Sequence, residues 1–88
     1  MNKSRREALM WLIINMEKWV AQGKEIRKQL QDIFYDEQNY YYNIPDNLQN
    51  SIRTMESEMA IDTMEDTIES MNEALDAADE AVRRINTV

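Results

Sequence analysis

A single proline near the middle of the chain, Pro45, most constrains what this sequence can fold into. Proline breaks a helix interior, and glycine, the other common helix breaker, occurs only once, at Gly23. The 88 residues therefore form two long stretches on either side of one corner. Because Glu, Met, Ala and Leu are plentiful and favour helix, we expect one all-α domain.

The first stretch contains an apolar series with the alternating three-four spacing of packed helices. It consists of Leu9, Leu12, Met16, Trp19, Gly23, Ile26, Leu30, Ile33, Glu37 and Tyr40. This series predicts a helix over about residues 4–42, which the S-x-x-E pattern of Ser4 and Glu7 would cap. We interpret the series as the core-facing side of that helix. Gly23 predicts either a close approach by a side chain of the partner helix or a slight bend.

The second stretch predicts a helix over about residues 51–86, with Ser51 as its cap. Its later apolar series is Ile61, Met64, Ile68, Met71, Leu75, Ala78, Val82 and Ile85. An earlier series is Leu48, Ile52, Met55 and Met59, and the two do not fit one heptad frame. This break in phase predicts either a local change in winding or a first part that faces a different neighbour.

Two helices of similar length with a short connection predict an antiparallel helical hairpin over residues 1–88, with the turn at 43–50. Pairing the helix ends places Met16 near Leu75 and Gly23 near Ile68. Residues 45–49 predict one helical turn, in which Asp46 and Gln49 form a cap. Leu48 is expected to point inward and plug the end of the bundle.

The apolar run at residues 8–14 surrounds the first helix, whereas a lone hairpin can bury only one side of it. We therefore expect a homodimer in which two hairpins form a four-helix bundle. Met10, Trp11 and Ile14 are predicted to lie near the contact between the copies. The alternative is that the same residues anchor a different protein.

The net charge of −7 is concentrated in the second half, since residues 43–88 carry three basic and eleven acidic side chains. Seven acids lie on the helical face opposite the later apolar series: Asp62, Glu65, Asp66, Glu69, Glu73, Asp76 and Glu80. They predict either a solvated face or a negative rod that contacts a basic surface, as in proteins that mimic DNA. No basic stripe is present, so direct binding to nucleic acid is not expected.

Catalysis is not expected, because the chain has no His, no Cys and no glycine-rich phosphate loop. No cofactor or metal site is predicted, since carboxylate di-metal sites in helical bundles also use histidine. No apolar run approaches the roughly 18 residues of a membrane span. The run at residues 8–14 is barely long enough for the apolar region of a signal peptide. Asn15, Glu17 and Lys18 end it and no small-residue cleavage site follows, so we expect a cytoplasmic protein.

The corner carries a resemblance to a known group of proteins. "NIPDNLQNS" at residues 43–51 precedes "EMAID" at 58–62 and an Ala-rich acidic repeat. This half of the chain resembles a family of short uncharacterised proteins from bacteriophages and other mobile elements. Their pattern is N-[IL]-P-[ED]-N-L-Q-x-S, then E-x-A-[IV]-D. The resemblance implies a helical hairpin without enzymatic activity that acts in a bacterial host.

The three tyrosines before the corner differ in their expected roles. Tyr40 continues the apolar series and Tyr41 lies beside it, whereas Tyr42 has no structural role and is the candidate contact for a partner. The sequence thus predicts a protein–protein interaction module that modulates a host protein or defence system. The alternatives are an acidic decoy for a nucleic-acid-binding protein and a structural part of a phage particle.

Overall fold

The computed structural model describes residues 1–48 and 50–88 and consists of two long antiparallel helices. Helix α1 spans Lys3–Tyr42, a short 3-10 turn spans Asp46–Leu48, and helix α2 spans Ile52–Ile85. Together they form a rod of 70 × 15 × 15 Å. The predicted all-α helical hairpin is confirmed. Within the described part of the chain, neither helix has a stretch long and apolar enough to cross a bilayer.

Each long helix begins at a residue whose side chain caps it. The Asn2 side chain accepts a hydrogen bond from the backbone N–H of Arg5 at 2.9 Å, so Ser4 already lies inside α1. The predicted capping box of Ser4 is therefore wrong. At α2, Ser51 Oγ accepts from the backbone N–H of Thr54 at 3.2 Å, as predicted. The predicted cap by Gln49 lies outside the described residues.

Helix α2 faces α1 through one uninterrupted heptad series. Its members are buried or half-buried: Thr54, Ser57, Ile61, Met64, Ile68, Met71, Leu75, Ala78, Val82 and Ile85. The later series predicted from the sequence is confirmed as the packed one. The earlier series is not packed, because polar Thr54 and Ser57 continue the frame while Met55 and Met59 are exposed. Leu48 is also about half exposed, so its predicted role as an inward plug is wrong.

Helix α1 faces α2 through a series of ten residues, and the sequence predicted every second one of them correctly. Five members are as expected: Leu9, Met16, Gly23, Leu30 and Glu37. The others lie one residue further along the chain: Ile13, Val20, Arg27, Phe34 and Tyr41. The five residues predicted in their place are exposed and do not belong to the core: Leu12, Trp19, Ile26, Ile33 and Tyr40. Below, "seam" means the two packed series of α1 and α2.

Gly23 marks the closest approach of the two helices. A Cβ atom added to Gly23 would lie 2.7 Å from Cδ2 of Leu75, so the predicted close approach is confirmed. The predicted register is wrong by seven residues, because Leu75 and not Ile68 lies opposite Gly23. The prediction paired the ends of two helices of nearly equal length, whereas α1 has 40 residues and α2 has 34. With this register, residues 3–12 of α1 extend past the end of α2 at Ile85.

Candidate interaction surfaces

The two sides of the seam differ in chemistry. On one side, α1 presents a row of large apolar side chains, which we call the apolar flank: Leu12, Trp19, Ile26, Ile33 and Tyr40. Each is between 48% and 65% exposed. They recur every seven residues and so keep the same position relative to the seam. The row is about 42 Å long at 1.5 Å per residue.

Small side chains of α2 lie beside the apolar flank. The heptad frame of α2 places four of them on this side: Ala60, Thr67, Ala74 and Ala81. Small residues leave room for a further helix to approach the hairpin closely. At the turn, the same side ends in a groove of about 200 Å³, which Tyr40, Ile44, Pro45, Leu48 and Arg53 help to line.

The other side of the seam, the polar flank, is bridged by bonds between the helices. Lys24 Nζ lies 3.1 Å from Asp79 Oδ2, and Arg27 Nη1 donates a hydrogen bond to Asn72 Oδ1 at 3.0 Å. The same heptad positions also hold Gln31, Gln38, Glu58 and Glu65, together with the exposed Met10 near the start of α1. Exposed ion pairs of this kind contribute at most about 1 kcal/mol each. They nevertheless link the two helices directly on this side, which the apolar flank does not do.

Tyr41 closes the polar flank at the turn. Its hydroxyl donates a hydrogen bond of 2.6 Å to Glu58 Oε1. This bond, with desolvation and the nearby negative charges, raises the pKa of Tyr41 above its ordinary value of 10.0. Tyr42 packs against the Tyr41 ring with a centroid distance of 5.7 Å and is 75% exposed. The structure thus places the candidate contact Tyr42 at the end of α1, open to solvent.

Met10, Trp11 and Ile14, the contact residues predicted from the sequence, are all exposed. Met10 and Trp11 lie in the part of α1 that extends past α2. At 100° per residue, Met10 and Ile14 point to the other side of α1 from Leu12. Trp11 lies about a quarter turn from Leu12, on the outer face of α1. Sequence reasoning missed this flank because the same residues fit a core-facing series equally well.

The predicted acidic face lies on the outside of α2, away from the apolar flank. Six of its seven members are exposed: Asp62, Glu65, Asp66, Glu69, Glu73 and Asp76. The seventh, Glu80, forms ion pairs with Arg83 and Arg84. None of the six forms an ion pair with another described residue. In residues 1–48 and 50–88, no group of three or more His, Cys, Asp or Glu side chains is arranged to hold a metal ion.

Comparison with protein-family models, with curated proteins and with solved structures finds no match to this chain. The similarity of residues 43–62 to a phage family stays a prediction from the motif. The surfaces themselves offer two chemistries, an apolar row about 42 Å long and an acidic face on which six carboxylates form no ion pair with a described residue. Both chemistries are suited to contacts with macromolecules.

Proposed function

We propose that this protein is a non-enzymatic protein–protein interaction module that works as a homodimer, with two hairpins packed into a four-helix bundle. The apolar flank is the observation that supports it. A helix in a simple two-helix pair needs apolar residues at two of seven heptad positions, whereas a helix in a bundle uses three. Helix α1 has the third series, and the hairpin leaves it exposed.

The thin core of the single hairpin supports the same proposal. Among the described residues, only three apolar side chains are buried: Val20, Leu75 and Ala78. Chains of this size bury little surface and commonly rely on disulfides, metals or oligomerisation. The sequence has no Cys, so no disulfide can form. A second copy would cover the apolar flank and enlarge the core.

The homodimer is tested by sedimentation equilibrium of the wild type and two lysine variants. Ile33 and Tyr35 are both 58% exposed and lie two residues apart on α1, but only Ile33 belongs to the apolar flank. We expect the wild type and Tyr35→Lys to sediment as dimers. Ile33→Lys should sediment as a monomer, because dimerisation would bury its unpaired charge.

Two results would contradict the homodimer. A wild-type chain that stays monomeric at tens of micromolar would remove it altogether. Equal association of Ile33→Lys and Tyr35→Lys would show that any dimer forms through another face. Circular dichroism of each variant confirms that the helices are retained.

For the biological role, we propose that a phage or another mobile element encodes the protein, and that it modulates a host protein or defence system in the bacterial cytoplasm. The corner motif, the small size and the acidity support this role. In the homodimer proposed here, the acidic face points away from the second copy and stays free for a partner. A pull-down from bacterial lysate tests the role, with Ile33→Lys as a second bait. Failure of both baits to retain any protein above background would count against it.

An acidic decoy for a nucleic-acid-binding protein is the second candidate, because six carboxylates of the acidic face have no ion-pair partner among the described residues. Reversing Glu65, Glu69, Glu73 and Asp76 to Lys separates the two roles. A decoy should lose its partner completely, since charge supplies its binding. A partner held mainly by apolar contacts should remain bound.

A further inference from the structure

We infer that the two hairpins of the homodimer run antiparallel, with α1 packed against α1 of the second copy and the two-fold axis at Ile26. This inference rests on the proposed homodimer and adds its geometry. It also identifies the contacts, namely the five residues of the apolar flank. The reasons are the spacing of the flank, the charge of the two halves of the rod and the shapes of its ends.

The apolar flank is symmetric about its middle member. Ile26 has two flank residues before it, Trp19 and Leu12, and two after it, Ile33 and Tyr40, all at intervals of seven. An antiparallel contact centred on Ile26 therefore sets every flank residue against a flank residue of the second copy. Trp19 of one copy contacts Ile33 of the other, Leu12 contacts Tyr40 of the other, and the two Ile26 side chains contact each other. Shifting the centre by half a heptad leaves at least one flank residue without an apolar partner.

The charge distribution favours the antiparallel orientation over the parallel one. The open half of the rod, residues 1–25 and 73–88, carries seven basic and seven acidic side chains. The turn half, residues 26–72, carries three basic and ten acidic side chains. Parallel hairpins would place the two acidic halves side by side, which repels. Antiparallel hairpins place each acidic half beside a neutral one.

The two ends of the rod fit each other in this orientation. At the open end, residues 3–12 of α1 extend past Ile85, the last residue of α2, and all of them except Leu9 are exposed. At the turn end, the groove of about 200 Å³ lies on the same side as the apolar flank and includes Tyr40 in its lining. Because Leu12 meets Tyr40 of the second copy, the projecting end of each α1 lies over the groove of the other hairpin.

The size of the contact is sufficient for a stable dimer. One face of a rod of 70 × 15 Å offers about 1,000 Å² per copy, hence about 2,000 Å² in total, at the upper end of the standard range for specific interfaces. A contact of two helices per copy also matches the antiparallel packing of four-helix bundles.

Thiol cross-linking tests the orientation, because the chain has no native cysteine. We would make Ile26→Cys, Ile33→Cys, Trp19→Cys and, as a control outside the flank, Tyr35→Cys, and treat each with a short bis-maleimide linker. Ile26→Cys should give cross-linked dimer as the main product. Ile33→Cys alone should stay at the level of Tyr35→Cys, since its two thiols would lie 14 residues apart along the helices, roughly 21 Å. An equimolar mixture of the Trp19→Cys and Ile33→Cys chains should cross-link.

The possible results separate the orientation from the dimer itself. Efficient cross-linking of Ile33→Cys to itself, with none between the Trp19→Cys and Ile33→Cys chains, would establish parallel hairpins and overturn this inference. Sedimentation of each cysteine variant under reducing conditions reports whether a dimer is present. If the wild type and the cysteine variants all sediment as monomers, the proposed homodimer is overturned together with its orientation.

Discussion

The two flanks of one seam differ in how the two helices of a single hairpin contact each other. On the polar flank, Lys24 and Arg27 reach across to Asp79 and Asn72, so polar bonds join the two helices directly. On the apolar flank, the side chains of α1 are large and apolar, and the α2 residues beside them are small except for Arg53 at the turn. The comparison supports the proposed homodimer, in which a second copy packs on the apolar flank.

The two tryptophans provide the largest expected contrast between flank and non-flank residues. Trp19 lies on the apolar flank, whereas Trp11 is 70% exposed and points elsewhere. In the homodimer, Trp19→Ala should lower the free energy of unfolding by about 3 kcal/mol per copy, because a large buried side chain is lost. Trp11→Ala should change it by about 0.5 kcal/mol or less.

Urea unfolding at several protein concentrations measures both tryptophan variants. For a dimer, the wild-type midpoint rises with concentration. Equal losses for the two variants would instead favour the contact around Met10, Trp11 and Ile14 that the sequence suggested.

The sequence alone could predict the hairpin but not the division of α1 into seam and flank. Pro45 and the heptad spacing define two helices and one corner. Within α1, however, Leu12, Trp19 and Ile26 are as apolar as the residues that pack in their place. The predicted series and the packed series also share every second member, so their spacing does not distinguish them. The choice between them depends on α2, whose Asn72 and Glu58 bond Arg27 and Tyr41. Such a pairing is visible only once the register is known.

The acidic face and the later series of α2 were easier to place. Between Thr54 and Val82 the sequence has no Lys or Arg, and the acids fall on the side opposite Ile61 and Met64. Polar Thr54 and Ser57 were missed as seam residues because apolar Met55 and Met59 lie beside them. A seam that continues through polar residues gives no hydrophobic signal in the sequence.

Those two polar seam residues give the next largest expected effects. Thr54 Oγ1 donates a hydrogen bond of 2.7 Å to the Leu48 carbonyl, whereas the buried Ser57 hydroxyl has no partner among the described residues. Ser57→Ala should therefore raise the free energy of unfolding by about 1 kcal/mol, and Thr54→Val should lower it by a similar amount. Thermal unfolding by circular dichroism distinguishes these shifts. A loss of stability in Ser57→Ala would show that its hydroxyl is bonded after all.

On the polar flank, the expected effect of a single substitution is smaller. Lys24 and Asp79 are each 46% exposed, and the solvent screens their attraction. Lys24→Ala should change the free energy of unfolding by about 0.5 kcal/mol or less, and 0.5 M salt should abolish even that difference. A loss as large as that of Trp19→Ala would mean that the polar flank, and not the apolar one, holds the assembly together.

The smallest expected effect on the polar flank depends on pH. The hydrogen bond to Glu58 raises the pKa of Tyr41 in the folded protein above 10.0. The bond therefore contributes fully to the free energy of unfolding below pH 10. The contribution is lost as pH rises through the folded pKa, because the phenolate cannot donate the bond and repels Glu58. The urea midpoint of the wild type should thus fall more steeply above pH 10 than that of Tyr41→Phe, whereas the two slopes should agree near pH 8. Identical slopes above pH 10 would contradict the assigned bond.

Acrylamide quenching of Trp19 fluorescence tests most directly whether the apolar flank is covered in solution. In a Trp11→Phe chain, Trp19 is the only tryptophan. In the proposed dimer Ile33 of one copy lies against Trp19 of the other, so adding Ile33→Lys places a charge in that contact and should separate the two copies. A covered flank predicts weak quenching in Trp11→Phe and strong quenching in the double variant. Equally strong quenching in both chains would contradict it, because Trp19 would then be as exposed in the assembled protein as in the isolated hairpin.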